Sequence, residues 1–284
     1  MQADNVRFGF GDNWTAFLRQ LNDDRIVEAE KSVKTLLGCE RLDGRRLLDI
    51  GSGSGLFSLA ARRLGARVHS FDYDPACVGC ATQLRTRYFA EDPDWKIDRG
   101  SVLDEQFLGQ LGTFDIVYSW GVLHHTGAMY RALELASDCV ASDGLFAFAL
   151  YRKTRLCRAW AIEKRWYASA SPTSQRFARA AFIGPLRFSF LLTRRNFKTY
   201  VDNYQSVRGM DFYHDVHDWL GGYPYESIRP AEVATLMSKF GFEHVRSVTR
   251  PYSTGLFGSG CDEFVYRRVD MMRSTAELNR DFAR

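Results

Sequence analysis

Two adjacent histidines stand directly after an apolar run in the stretch WGVLHHTG, residues 120–127. The chain has six histidines, and a histidine with an ordinary pKa of about 6.5 can take up or release a proton at physiological pH. His124 and His125 are therefore candidates for a metal site, for a general base, or for packing at the end of a strand. Which of these applies depends on the elements that position them.

A second polar cluster occupies YHDVHDWLGGYPYE, residues 213–226, and contains His214 and His217 with neighbouring acids. Such a string can indicate a metal site. Adjacent histidines and alternating acids do not fix a coordination geometry, however, so we expect no metal ligand here. We expect this segment to contribute acceptor-binding groups or to close a pocket, with His214 as a second candidate base. A capped helix and turn without a ligand is the alternative.

A glycine-rich loop, LLDIGSGSG at residues 47–55, places Gly51, Gly53 and Gly55 at a predicted strand-to-helix turn, where glycine lets the backbone approach a ligand closely. The dinucleotide fingerprint GxGxxG needs a further glycine where this chain has Leu56. Asp49 precedes the loop, and its carboxylate would repel a pyrophosphate but suits a cationic amino group.

Two more acids follow the next predicted strands. Asp72 ends the second strand, where a carboxylate can accept hydrogen bonds from both hydroxyls of a ribose. Asp104, in GSVLD, follows the third strand and is suitably placed for an exocyclic adenine amine. A ligand with an ammonium group, a ribose and an adenine, and with no required phosphate, matches S-adenosylmethionine.

Strand and helix patterns alternate over residues 46–151, which indicates a parallel sheet with helices on both faces. Apolar residues at 129, 132, 133, 136 and 140 predict one amphipathic helix. The alternation stops over residues 152–228 and resumes at RPAEVATLMSKFGF, followed by two strands. We therefore predict a helical N-terminal cap (1–45), a sheet domain (46–151 and 229–270), a basic aromatic-rich insertion as a substrate lid (152–228), and a C-terminal tail (271–284).

The segments LLDIGSGSG, HSFDYDP, GSVLD and FDIVYSWGVLHHTG, in this order, resemble the class I S-adenosylmethionine-dependent methyltransferases, in particular the group with ubiquinone-biosynthesis O-methyltransferases and other small-molecule methyltransferases. The resemblance is strongest over residues 47–150. It implies a seven-stranded, Rossmann-like, doubly wound α/β sheet, with strands 1–6 parallel and the last strand antiparallel.

The resemblance also implies roles for single residues. Those expected at the cofactor are Asp49, Gly51, Ser52, Gly53, Gly55, Asp72, Tyr73, Asp104 and Trp120. Of these, the residues from 49 to 55 line the methionine part, Asp72 holds the ribose, Tyr73 covers one face of the adenine, and Asp104 meets adenine N6. His125 matches the histidine common after the fourth strand and is the first candidate base, with fixing of its loop through a backbone hydrogen bond as the alternative. Trp14 is a candidate to close the site.

The net positive charge of the chain comes from one region. The formal net charge is +4, yet thirteen Lys or Arg between residues 152 and 210 are opposed by only Glu163 and Asp202. These arginines could recognise an acidic, phosphorylated or glycan-linked acceptor, or rest with residues 176–195 on an anionic membrane and collect a lipid-linked acceptor. A solvated helical cap is a further alternative. The modest pI of 8.7 argues against nucleic acid as a partner.

The expected function is methyl transfer from S-adenosylmethionine to an oxygen, in preference to a nitrogen or carbon, of a small acceptor. The alternatives are an NAD-linked oxidoreductase on a similar sheet and a non-catalytic nucleoside-binding protein. Neither a secretory signal nor an apolar run long enough to span a membrane is evident. Six scattered cysteines suit reduced thiols, so we expect a cytoplasmic protein.

Overall fold

The computed structural model of the protein describes residues 8, 9, 14, 18, 21–208, 212–251, 253–256 and 258–269, and at 205–208 and 214 it describes the backbone alone. The predicted tail at 271–284 lies outside these residues.

Seven strands form a single sheet. Along the chain they are β1 (Arg46–Ile50), β2 (Arg67–Asp72), β3 (Trp95–Arg99), β4 (Phe114–Trp120), β5 (Val140–Tyr151), β6 (Phe242–Val248) and β7 (Cys261–Arg268). Their order across the sheet is β3-β2-β1-β4-β5-β7-β6. The first five pair in parallel, whereas β7 is antiparallel to both β5 and β6. The predicted α/β sheet with six parallel strands and an antiparallel last strand is confirmed.

Helices cover both faces of the sheet. Before the insertion they are α1 (Asp23–Leu37), α2 (Leu56–Arg63), α3 (Pro75–Tyr88), α4 (Glu105–Leu111) and α5 (Met129–Asp138), and α10 (Pro230–Lys239) follows it. Alternate residues of β1 point to opposite faces: Leu47 packs with α1, α2 and α3, while Leu48 and Ile50 pack with α5 and α10. Val140, which the apolar spacing places in a helix, instead begins β5 and pairs with Phe114.

Residues 152–228 form four helices, α6 (Cys157–Ser169), α7 (Pro172–Leu192), α8 (Phe197–Arg208) and α9 (Phe212–Gly221). They pack around a small core of their own that includes Tyr167, Phe212 and Leu220. The two ends of the segment meet at the sheet, where Arg152 and Ile228 form a parallel bridge. The Lys153 amide donates to the Ile228 carbonyl at 2.9 Å, which holds both ends beside β5.

Candidate active site

A cavity of about 1750 Å³ opens at the carboxyl ends of the strands. The chain reverses its direction across the sheet between β1 and β4, and open α/β sheets bind ligands at that point. The ends of β1, β2 and β4 form the floor of the cavity, and α8 and α9 form part of its roof. Ligand pockets commonly measure about 300–1,000 Å³, so this cavity has room for two ligands side by side.

The glycine loop lies on the cavity floor and is tied to the end of β2. The amides of Gly51 and Ser52 donate to the Phe71 carbonyl at 2.9 and 3.1 Å. Gly51 has φ +74°, and a Cβ there would lie 2.4 Å from the Val122 side chain. A Cβ on Gly53 would lie 3.0 Å from the ring of Trp14, which also lines the cavity. The loop therefore tolerates no side chains at these two positions without displacing its neighbours.

Asp72 joins the glycine loop to the turn that follows β2. Its Oδ2 accepts from the Gly53 amide at 2.9 Å, and its Oδ1 accepts from the Asp74 amide at 2.9 Å. Burial raises the pKa of Asp72, although these amide hydrogen bonds oppose the rise. Tyr73 follows at the cavity wall with 58 % of its surface exposed.

Asp49 presents a buried carboxyl at the end of β1, with 3 % of its surface exposed. It accepts a hydrogen bond from the Ser58 hydroxyl. Burial raises its pKa to about 7, and the nearby Asp72 acts in the same direction. Among the described residues, the charged group that acts on the pKa of Asp49 is the Asp72 carboxyl, which carries no positive charge. A cationic ligand group beside it would favour the ionised carboxylate.

Two of the expected cofactor residues, Gly55 and Asp104, do not line the cavity themselves. Gly55 is the N-cap of α2, and a Cβ there would lie 2.9 Å from Ala81, so this glycine permits close packing of α2 on α3. Asp104 is exposed and caps α4 by accepting from the Phe107 amide at 3.0 Å. Ser101 and Val102, just before it, line the cavity instead.

Trp120 lines the cavity with 42 % of its surface exposed. Its indole N–H donates to Glu263 Oε1 at 2.9 Å, so β7 fixes the ring at the end of β4. Sequence reasoning missed Glu263, as it missed Arg25 and Val122, which line the same cavity. Of these three, Val122 carries a sequence signal, because it stands two residues after the end of the predicted fourth strand.

The two histidines differ in their surroundings. His124 is fully buried, its ring centroid lies 3.9 Å from that of Tyr151, and burial holds its pKa well below the usual value. His125 is half-buried at the cavity wall, and its Nδ1 lies 2.7 Å from the Pro224 carbonyl. Because a carbonyl only accepts, Nδ1 is the donor. Backbone hydrogen bonds with Pro224 and Gly222 favour the protonated ring, but burial outweighs them and lowers the pKa of His125 to about 4.

Comparison with known proteins assigns the family. A family model described as a methyltransferase domain matches residues 17–247. The chain is a class I S-adenosylmethionine-dependent methyltransferase. S-adenosylmethionine is its cofactor, which fits a floor that offers the buried carboxyl of Asp49 to an ammonium group and Asp72 to a ribose. The oxidoreductase alternative is thereby wrong.

The methyltransferase is similar to the ubiquinone biosynthesis O-methyltransferase of Methylocella silvestris, at 33% identity over 147 residues, which are 52% of this chain and 55% of that protein. It is also similar to the tRNA U34 carboxymethyltransferase of Methylococcus capsulatus, at 32% identity over 151 residues, which are 50% of this chain and 45% of that protein. The chain thus spans about half the length of the curated relatives it matches.

Among solved structures, the fold is similar to that of magnesium protoporphyrin IX methyltransferase from Synechocystis PCC 6803 with bound SAH. The TM-score is 0.54 and the sequences are 16% identical, with 90% of this chain and 93% of that chain covered. This likeness concerns the fold alone.

The roof of the methyltransferase cavity is aromatic and acidic. Tyr204 donates its hydroxyl hydrogen to the Asp215 carboxylate, and Asp218 lies one helical turn further along α9. The described insertion residues that line the cavity are Phe182, Leu186, Tyr200, Asp202, Tyr204, Phe212, Asp215, Val216, Asp218, Trp219, Tyr223 and Pro224. No lysine or arginine is among them.

The arginines of the insertion take other positions. Arg176, Arg187, Arg194 and Arg195 are exposed. Arg179 turns inward, where it donates to the Tyr167 hydroxyl at 2.9 Å and to His217 Nδ1 at 3.0 Å. His214, the second candidate base, has only its backbone described, as part of α9. In the described part of the chain, no group of three or more His, Cys, Asp or Glu could hold a metal ion.

Proposed function

We propose that this methyltransferase transfers the methyl group of S-adenosylmethionine to a hydroxyl oxygen of a small aromatic acceptor that carries no negative charge. The observation that carries the proposal is the roof of the cavity, which offers aromatic rings and the carboxyls of Asp215 and Asp218. An anionic acceptor, which the arginines of the insertion suggest, would meet these carboxyls, and like charges repel. Arg25, Arg99 and Arg250 also line the cavity, but they lie outside the insertion. The preference for oxygen is supported by similarity to relatives named as O-methyltransferases.

The floor of the cavity would hold the cofactor through three side chains. The Asp49 carboxylate suits the ammonium group, Asp72 has acceptor capacity left for the ribose hydroxyls, and the exposed ring of Tyr73 suits one face of the adenine. The bound cofactor supplies an electrophilic methyl group. The chain therefore mainly aligns the acceptor oxygen with that methyl group and excludes water.

His125 is proposed as a positioning residue that fixes its loop through a backbone hydrogen bond, in preference to a general base. Its Nδ1 proton is committed to Pro224, and its ring packs against Gly222, so it fastens the turn after α9 to the end of β4. With a pKa of about 4 the ring is neutral in the working pH range and a weak base. Its loss would displace the roof that carries Asp218 and Trp219.

A panel of matched acceptors tests the proposal. A phenol, its carboxylated and phosphorylated derivatives, and the corresponding aromatic amine are offered with S-adenosylmethionine, and methyl transfer is followed by mass spectrometry and by the chemical shift of the new methyl group. We expect the uncharged phenol to be methylated on oxygen and the anionic derivatives to be poor acceptors. Preference for the phosphorylated or carboxylated member would contradict the assignment of the roof.

An amine is the second candidate acceptor, because Asp215 and Asp218 could pair with a protonated nitrogen. In the same panel, methylation of the amine in preference to the phenol would favour this candidate. Removing the charge of Asp218 with Asp218→Asn should then raise the KM for the amine and leave the KM for the phenol unchanged.

A further inference from the structure

Helix α7 is highly exposed, because none of its 21 residues is buried. Its inner face still has partners: Phe182 and Leu186 line the cavity, and Ile183 packs on the small core of the insertion. The helix is therefore docked on one side only, and the remaining surface consists of side chains that meet solvent.

The outer face of α7 is apolar along its whole length. The exposed fractions are 76% for Phe177, 59% for Phe188, 73% for Leu191 and 69% for Leu192. With about 3.6 residues per turn, these four positions fall on one face of the helix. Ala180, Ala181 and Gly184 are exposed between them on the same face. This set of seven residues, called here the outer stripe, forms an apolar surface that no described element covers.

Positive charge borders the outer stripe. Arg176 and Arg187 are exposed and lie eleven residues apart, or about three turns, so both flank the same edge of the stripe. Arg194 and Arg195 follow at the C-terminal end of the helix and are also exposed. From residue 171 to residue 200 the chain has no Asp or Glu. An apolar face with Phe and Leu, bordered by arginines, is the pattern of helices that lie in the interface of a bilayer.

We propose that the outer stripe and its flanking arginines seat this methyltransferase on an anionic membrane surface. The Phe and Leu side chains would enter the boundary between headgroups and acyl chains, while the guanidinium groups would pair with lipid phosphates. The helix lies on the membrane under this proposal: no described helix of the structure is long and apolar enough to cross one.

Two other occupants fit the surface less well. A second copy of the chain would bring Arg176 and Arg187 of both molecules to one self-complementary interface, where like charges oppose association. Nucleic acid would pair with the arginines and could stack on Phe177 and Phe188, but it would leave the exposed aliphatic side chains of Leu191 and Leu192 in water. A bilayer surface satisfies both the charges and the aliphatic side chains.

The position of α7 gives the contact a consequence for the site. The same helix presents Phe182 and Leu186 to the cavity and the outer stripe to the surface. A membrane under the stripe would place the lipid phase one helix away from the roof of the cavity. Binding to the membrane, however, does not depend on which acceptor the site takes.

Co-sedimentation of the full chain with vesicles tests the proposal. We expect binding to vesicles of phosphatidylcholine with phosphatidylglycerol, little binding to phosphatidylcholine alone, and release at high salt. The double variant Arg176→Gln/Arg187→Gln should lower the partition coefficient by about 30-fold if both charges lie at the surface. Phe188→Ser/Leu191→Ser should lower it by roughly tenfold or more, even at low salt.

Val248→Ser is the matched control, because Val248 is an exposed apolar residue (53%) on β6, outside the insertion. Affinity for S-adenosylhomocysteine, measured for every protein, should stay unchanged and shows that each variant is folded. Failure of the wild type to bind anionic vesicles at low salt, or equal binding by wild type and both double variants, would overturn the proposal. So would a dimer in sedimentation velocity that the stripe variants abolish, or equal retention on phosphatidylcholine alone.

Discussion

The buried carboxyl of Asp49 should both destabilise the empty protein and bind the cofactor. Its pKa is about 7 in the folded chain, against 3.8 for an exposed aspartate. The folded pKa lies above the unfolded one, so the folded state binds the proton more tightly and stability falls as pH rises from about 4 to about 7. A difference of about 3 pKa units corresponds to about 4 kcal/mol. Above pH 7 the folded state carries the full loss of stability of about 4 kcal/mol.

Asp49→Asn removes this cost while keeping an oxygen that can accept from Ser58. At pH 8 we expect the variant without cofactor to be more stable by about 3 kcal/mol, after allowing about 1 kcal/mol for a poorer hydrogen bond. For a chain of this size that amounts to roughly 5–10 °C in Tm. The gain should shrink as the pH falls from 7 towards 4. Below about pH 3 the carboxyl is protonated in both states, so only the loss of about 1 kcal/mol from the poorer hydrogen bond should remain.

The same substitution should weaken cofactor binding. Breaking a buried ion pair between the carboxylate and the ligand ammonium costs about 3 kcal/mol, or roughly 100-fold in Kd. Calorimetry at pH 8 should show this loss for S-adenosylhomocysteine. Methylthioadenosine lacks the amino acid part, so it should bind wild type and variant alike. Below pH 7 the wild-type affinity for S-adenosylhomocysteine should fall by about tenfold per pH unit, and the variant should show no such dependence.

Asp138→Asn, at an exposed position at the end of α5, serves as the control and should change neither property. A lower Tm for Asp49→Asn at pH 8 would refute the electrostatic argument. Wild-type affinity for S-adenosylhomocysteine in the variant would refute the assignment of Asp49 to the ammonium group.

Three further substitutions separate the remaining roles. Asp72→Asn should weaken S-adenosylhomocysteine and methylthioadenosine alike, by roughly tenfold or more, because both carry the ribose; a loss confined to one of them in calorimetry would exclude the ribose role. His125→Ala should raise the acceptor KM and lower kcat, while cofactor affinity stays within about threefold of wild type. His125→Gln can still donate to the Pro224 carbonyl, so it should recover much of the activity if the residue only positions the roof. Lys164 is fully buried against the Trp219 ring, with its ammonium 3.5 Å from the ring centroid, and burial lowers its pKa. Lys164→Met should therefore raise the free energy of unfolding by about 1–3 kcal/mol in urea titrations, most strongly below pH 7, where the lysine must be charged. Destabilisation would show that the cation–π contact outweighs the cost of burial.

The fold and the floor of the site were predictable because their signals are local. An apolar run that ends in glycines fixes a strand-to-helix turn, and parallel strands bring their carboxyl ends to one edge. Asp49 and Asp72 therefore line one cavity, as expected. Asp104 was assigned from its place after a strand, but the residue also stands three positions before Phe107 N–H, which is the spacing of a helix cap. For Gly55 the sequence signal is equally ambiguous, since helix packing demands glycine as strictly as a ligand does.

The roof was predicted less well. The number of arginines in the insertion is visible in the sequence, but their direction depends on how four helices pack, which is a long-range property. Within α7 the helical period does separate Arg176 and Arg187 from Phe182 and Leu186. The helical period does not predict whether the side with the arginines or the side with Phe182 and Leu186 faces the cavity, because apolar residues occupy both sides of this helix.

Arg152 and Ile228 meet beside β5, so the two ends of the inserted segment are adjacent in the fold. A segment whose ends are already adjacent adds little closure entropy when it lengthens, about 0.6 kcal/mol for each doubling. The sheet can therefore accept a longer, shorter or entirely different segment at this junction without a change in its own strand order. Under the two proposals above, cofactor binding depends on the sheet, whereas acceptor choice and membrane attachment depend on residues 152–228, so replacing this one segment would change both together.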